Sequence, residues 1–162
     1  MDGIARGSGL VVALNDGSTD AERIIDAAAS QCFSFDKSTQ SAQSYPGSLM
    51  GSMALLRQMY HDLDWFNKQG HTTDRSLTAL GAQMNKPAFF EAGDQSNTLR
   101  AHAIGAQFGV PYILVGGKDA YENIDAIAAS NAAYIVPINF PEAYDLSDPY
   151  FAKHLALSLI HI

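Results

Sequence analysis

The stretch Lys86 to Pro141, KPAFFEAGDQSNTLRAHAIGAQFGVPYILVGGKDAYENIDAIAASNAAYIVPINFP, decides the fold. Three short apolar runs stand out in it: Pro87-Ala88-Phe89-Phe90, Tyr112-Ile113-Leu114-Val115 and Ala133-Tyr134-Ile135-Val136. Short apolar runs bounded by Gly, Pro or Asn are the mark of buried parallel strands. Between the first two, Leu99, Ala103, Ile104 and Phe108 recur at the spacing of one helix face, and Gly109 follows as a helix stop. Ala120, Ile124, Ile127 and Ala128 repeat the pattern before the third run. The order is strand, helix, strand, helix, strand, which is the pattern of parallel strands joined by crossover helices.

In such folds ligands bind beyond the carboxyl ends of the strands. Here those ends are Glu91 to Asp94, Gly116 to Lys118 and Asn139 to Pro141. Glu91 is the one ionisable group placed directly at a strand end, so it is the first candidate for chemistry.

Working outward, the 162 residues suffice for a domain with a real core. Charged residues are 17% and hydrophobic ones 47%, a globular composition. The formal charge of −7 and the pI near 5.0 argue against nucleic acid or an anionic membrane surface as partner. The single cysteine, Cys32, rules out an intrachain disulfide and reads as a small buried hydrophobe. Absence of disulfides leaves both cytoplasm and periplasm open. The first residues lack the charged start and apolar core of a signal peptide, and no apolar run approaches the length of a membrane span.

Upstream, a strand is expected at Leu10 to Leu14, preceded by Gly7 and Gly9. A phosphate-cradling loop needs its glycines after a strand and before a helix, so this order excludes a nucleotide site. Asn15-Asp16-Gly17 is a turn signal. Ala21 to Ala29 reads as a short helix or a surface loop, and Gln31 to Phe35 as a weak strand. Asp36 to Gly47 is a polar loop. A helix then starts with Ser44 or Tyr45 in the capping region and Pro46 in its first turn. It runs to about Gln69 with a core stripe of Leu49, Met53, Leu56, Tyr60 and Leu63, and Gly70 is its stop. Thr72-Thr73-Asp74 opens another helix through Leu77, Leu80 and Met84. Beyond the βα stretch, Glu142 to Pro149 is acidic and loop-like, and HLALSLIHI is an apolar run without a cap, which suggests a truncated domain.

None of the five histidines, His61, His71, His102, His154 and His161, forms an H-x-H or H-E-x-x-H pair, and no G-x-S-x-G elbow is present. His61 reads as a helix-surface residue and His102 as a mid-helix one. The chain by itself holds no complete catalytic set.

The run Gln43 to Gln58, QSYPGSLMGSMALLRQ, resembles a segment of metal-dependent amidohydrolases of the imidazolonepropionase-like group, where a P-G-S-x-M-G-x-x-A-L-x-R-Q-like run opens a helix. Pro-Ala-Phe-Phe-Glu-Ala, the Leu-Arg-Ala helix ending Phe-Gly-Val, and Tyr-Ile-Leu-Val-Gly-Gly are similar to the same group in order and spacing. The resemblance covers about Leu10 to Pro149. It implies an α/β fold, a partial (β/α)8 TIM barrel with consecutive parallel βα units, in a family that adds a small β-sandwich. Such barrels take roughly 250 residues, so residues 1–162 would be a single incomplete domain completed by the remainder of its own barrel. It also implies hydrolysis of a C–N bond in a small cyclic-amide or peptide-like substrate by water activated on a divalent metal, zinc by analogy, in the full-length parent.

In typical members the strand matching Pro87 to Phe90 ends in a metal-binding His, where this chain has Glu91. The next strand ends in a second His followed by Gly, where this chain has Gly116 and Gly117. The family's H-x-H pair and final Asp would fall outside residues 1–162. Glu91 is therefore the expected metal ligand or general base, with Gly116, Gly117 and Asn139 facing the substrate. The alternative is a non-catalytic ligand-binding relative on the same fold that has lost its metal ligands.

Overall fold

A computed structural model describes residues 2–14, 19–69, 73–117 and 119–136. Five strands follow one another along the chain, β1 (Ala5–Val12), β2 (Ile24–Ser34), β3 (Ala88–Glu91), β4 (Tyr112–Val115) and β5 (Tyr134–Ile135). The helices are α1 (Asp20–Arg23), α2 (Leu49–Gln69), α3 (Arg75–Gln83), α4 (Gln95–Phe108) and α5 (Ile124–Ala129), with a 3-10 turn at Ala120–Asn123. Helices alternate with strands from α3 onward, the α/β pattern of a partial (β/α)8 barrel. The chain divides within β3 into two compact units, Met1–Phe89 and Phe90–Ile162.

In the first unit, β1 and β2 form an antiparallel ribbon, with pairs such as Ala5 with Phe33 and Val12 with Ile24. The strand expected at Leu10 to Leu14 lies earlier, and Gly7 and Gly9 fall inside it. A Cβ on Gly9 would meet the Ser30 hydroxyl across the ribbon, which would have to turn away. The segment Ala21 to Ala29, read as helix or loop, is mostly strand: only α1 is helical, and cross-strand pairing with β1 overrides the helix propensity of its alanines.

α2 begins at Leu49, later than the sequence suggests. Pro46 precedes it, and Ser48 is the cap: its Oγ accepts from the Gly51 N–H at 3.2 Å. One face of α2 buries Ser52, Leu56, Tyr60 and Leu63, and the Tyr60 ring meets Phe33 of β2 at 6.5 Å between centroids. This is the core stripe expected from the spacing, with Leu49 and Met53 only partly buried. His61 is exposed and Cys32 partly buried. Asp36 to Gly47 is irregular as expected, tied down by Asp2, whose carboxylate accepts from the Ser38 hydroxyl at 2.8 Å and the Thr39 N–H at 3.0 Å.

Asp74 caps α3, with Oδ1 accepting from the Ser76 and Leu77 N–H groups at 2.8 and 3.0 Å. Two otherwise unpaired N–H groups depend on it. Asp74→Ala is expected to lower stability by about 1 kcal/mol, measured by urea denaturation; an unchanged midpoint would remove the cap from the account.

In the second unit, β4 occupies Tyr112–Val115 as read from the sequence, and β5 pairs with it in parallel, Leu114 with Tyr134 and Val115 with Ile135. α4 ends at Gly109, whose φ of 68° is the left-handed conformation that closes a helix cheaply only in glycine. Inside α4, Gly105 permits a close approach: a Cβ there would stand 2.8 Å from the Tyr112 ring. The core is centred on Phe90, Ala101, Ile104, Leu114 and Ala120, each almost wholly buried, with the Phe90 and Tyr112 rings in tilted contact at 5.0 Å and 57°.

Candidate functional site at the carboxyl ends of the second-unit strands

The site is assembled by three connections in the second unit. The Ala92 N–H donates to the Val115 carbonyl at 3.2 Å, joining the ends of β3 and β4. The Gly116 N–H donates to the Ile135 carbonyl at 3.2 Å, joining the ends of β4 and β5. The start of α4 is joined to the turn after β4 by Asp119, whose carboxylate oxygens accept from the Gln95 N–H at 3.1 and 3.2 Å. An acid at that place also suits the positive end of a helix.

Glu91 is the last residue of β3 and is exposed. Ala92 is buried behind it, and Gly93, with φ of 83°, turns the chain toward α4. Asp94 is committed to capping: Oδ1 accepts from the Asn97 N–H and Oδ2 from the Asn97 side-chain amide, both at 2.7 Å. Thr98 is fully buried and donates its hydroxyl to the Asp94 carbonyl at 2.8 Å. The Gln95 side-chain amide reaches Glu122 at 2.5 Å. Four carboxylates therefore gather near one set of strand ends. Asp94, Asp119 and Glu122 are engaged by hydrogen bonds from α4, while Glu91 stands at the strand end itself.

Gly116 and Gly117 follow β4 directly, at the strand end where they were expected. Both have a steric reason to be glycine. A Cβ on Gly116 would overlap the Tyr134 hydroxyl and ring edge, and one on Gly117 would overlap the Gly93 carbonyl and stand 2.8 Å from Asp119 Oδ1. Asn139 lies outside the described residues, as does Lys118.

The sequence reading missed Tyr134, Thr98 and Asp119. Asp119 carried a signal, an acid two positions past the Gly116-Gly117 strand end. Tyr134 carried none, because its contact with Gly116 depends on the register of β5 on β4. The Tyr134 hydroxyl is buried, and no hydrogen bond meets it. The Thr98 hydroxyl lies beside it and donates its own hydrogen bond to the Asp94 main-chain carbonyl. Burial raises the Tyr134 pKa above the usual value; Thr98 opposes the shift, and the negative charge of Asp119 adds to it. A phenol whose folded pKa is raised holds its proton where the unfolded chain has lost it. Its contribution to stability is complete below about pH 10 and is lost as pH rises through the folded value.

Two results are expected from Tyr134→Phe. Removing a buried hydroxyl without a partner should stabilise the fold by about 1 kcal/mol. A tyrosinate step displaced to alkaline pH should vanish from an ultraviolet titration. A destabilised variant would mean that the hydroxyl has a partner in solution.

Among the described residues no three His, Cys, Asp or Glu side chains come together as a metal site. Gly116 offers no side-chain donor, and Asp94 and Asp119 are spent on backbone N–H groups. The described residues therefore do not fit a metal by themselves.

No helix among the described residues is long and apolar enough to cross a membrane. No family model and no curated protein matches the chain. Among solved structures, an amidohydrolase from Thermotoga maritima MSB8 matches 82% of this chain with a TM-score of 0.67 and 19% identity. The chain spans 39% of that protein's length. At that identity the likeness concerns the fold: the chain has the α/β architecture found in part of an amidohydrolase.

Proposed function

We propose that the chain is part of a larger amidohydrolase-like hydrolase that cleaves a C–N bond in a small cyclic-amide or peptide-like substrate. The observation that carries this reading is the position of Glu91, exposed at the carboxyl end of β3 in a fold shared with an amidohydrolase. Chemistry in such folds is placed at that end of the strands. Glu91 would serve as general base or as one metal ligand. The main chain at Gly116 and Gly117, together with Asn139, would face the substrate. A divalent metal, zinc by analogy with the family, would take its remaining ligands from outside the described residues, in the remainder of the barrel.

A second reading, a ligand-binding relative without turnover, is favoured by one specific observation. Gly116 stands where the family's second strand-end His would be, and the Tyr134 hydroxyl fills the space that any side chain at 116 would need. A binding protein loses nothing by that exchange, whereas an enzyme must replace the ligand.

The deciding experiment uses the full-length parent with a panel of cyclic amides such as hydantoin and dihydrouracil. Hydrolysis that is abolished by a chelator and restored by zinc is the expected result. Saturable binding without hydrolysis, unaltered by the chelator, would replace the enzyme reading with the second one.

A further inference from the structure

Two carboxylates hold the first turn of α4, where a helix start ordinarily has one. Asp94, in the cap position, accepts from the Asn97 N–H and from the Asn97 side-chain amide, and its carbonyl accepts from the Thr98 N–H at 2.9 Å. Asp119 sets both of its oxygens on the Gln95 N–H from 24 residues further along the chain. The helix is already capped by Asp94, so the added bond does something else: it ties the turn after β4 to the loop after β3. The backbone repeats the tie. Gly117 is buried against that loop, so close to the Gly93 carbonyl that a methyl group on it would overlap the oxygen.

The loop held in this way starts at Glu91. Ala92 is buried and its N–H is bonded to the Val115 carbonyl, which anchors the strand end. Gly93 comes next, exposed, with φ of 83° and open space where a Cβ would stand. Without a side chain it can take several backbone courses at similar cost. Glu91 is exposed, and the course of the main chain through Ala92 and Gly93 decides where its carboxylate reaches. Asp119 holds the far side of this joint at Gln95 and leaves it one course.

We infer that Asp119 is a positioning residue for Glu91, clasping the β3–α4 loop through the Gln95 N–H. Its role presupposes the one proposed for Glu91. The clasp needs an acceptor oxygen at that place and no negative charge, which separates it from a second base or a metal ligand.

The full-length parent is assayed on whichever of hydantoin and dihydrouracil it hydrolyses. Asp119→Ala should lower kcat by about tenfold to a hundredfold, the effect of a small misplacement of a reacting group, with KM within about twofold. Asp119→Asn keeps an oxygen for the Gln95 N–H and should recover most of the rate. Glu91→Ala with Asp119→Ala should be no slower than Glu91→Ala alone, because the clasp acts through Glu91. Gln95→Pro removes the N–H at the first helical position, where proline is well accepted, and should be as slow as Asp119→Ala; it decides the matter if Asp119→Ala does not fold. Amide hydrogen exchange of the Glu91–Asn97 segment, read by mass spectrometry without substrate, should be about tenfold faster in Asp119→Ala than in the wild type. Unchanged exchange, an unchanged kcat, an Asp119→Asn variant as slow as Asp119→Ala, or additive losses in the double variant would each overturn the inference while leaving the hydrolase reading in place. A wild-type parent without turnover would overturn that reading and the catalytic role of the clasp with it, and faster exchange in Asp119→Ala would then establish the clasp as a device of the fold alone.

Discussion

Replacing Gly116 with alanine should destabilise the second unit by about 3 kcal/mol or more, the upper end of what overpacking a core contact costs. The backbone is not the reason, since Gly116 is not among the glycines with positive φ. Space is the reason. The new methyl would overlap the hydroxyl, Cζ and Cε1 of Tyr134, the residue that begins β5. Neither party can step aside cheaply. Gly116 is held by its N–H bond to the Ile135 carbonyl, and Tyr134 by its register opposite Leu114. Removing the hydroxyl alone leaves the ring carbons in place, so Tyr134→Phe should rescue little. Tyr134→Ala should rescue most of the loss. The double variant Gly116→Ala, Tyr134→Ala is then less destabilised than the sum of the singles by about 1 to 3 kcal/mol. Urea denaturation of the four proteins gives the coupling directly. A Gly116→Ala variant as stable as the wild type would disprove the contact. The same geometry predicts that Gly116→His cannot restore a strand-end ligand unless residue 134 is made small as well.

The parts of the fold that were legible in the sequence are those governed by local rules. Tyr112–Val115 is an apolar run fenced by Pro111 and Gly116, and it forms β4 with those bounds. The Leu99, Ala103, Ile104 and Phe108 spacing ended by Gly109 is α4, and Asp74 caps α3. The parts that were illegible depend on partners distant in sequence. Ile24 to Ala29 contains three successive alanines that favour a helix in isolation, yet Val11 and Val12 across the ribbon hold it as strand. Pro46 looked like a first-turn residue, but Ser48 supplies the capping oxygen two residues later. The candidate site divides in the same way. Glu91, Gly116 and Gly117 follow from counting to the ends of apolar runs. The commitment of Asp119 to the Gln95 N–H and the packing of Tyr134 on Gly116 need the turn after β4 and the β4–β5 register, which no spacing rule supplies.

Glu91→Ala in the full-length parent is the second large effect expected, a loss of about 10² to 10⁴ in kcat/KM, the usual contribution of a positioned general base. Glu91 closes β3 at the end of the strand where barrels place their chemistry, and it is exposed there, within reach of a substrate. Its neighbours Asp94 and Asp119 are poor substitutes, because their oxygens are held by the first N–H groups of α4. An exposed position also separates catalysis from folding, since replacing a surface carboxylate typically moves stability by only about 0.5 kcal/mol. Glu91→Gln keeps the shape and removes the charge. If Glu91 works as a base, both variants lose turnover, KM changes little, and metal content is unchanged. If it works as a ligand, both lose metal together with activity, and added zinc at high concentration restores part of it. In the ligand-binding reading there is no turnover to lose, and the variants differ from the wild type only in affinity. Full activity with full metal content in Glu91→Ala would remove the residue from the site, and with it the observation on which the hydrolase reading stands.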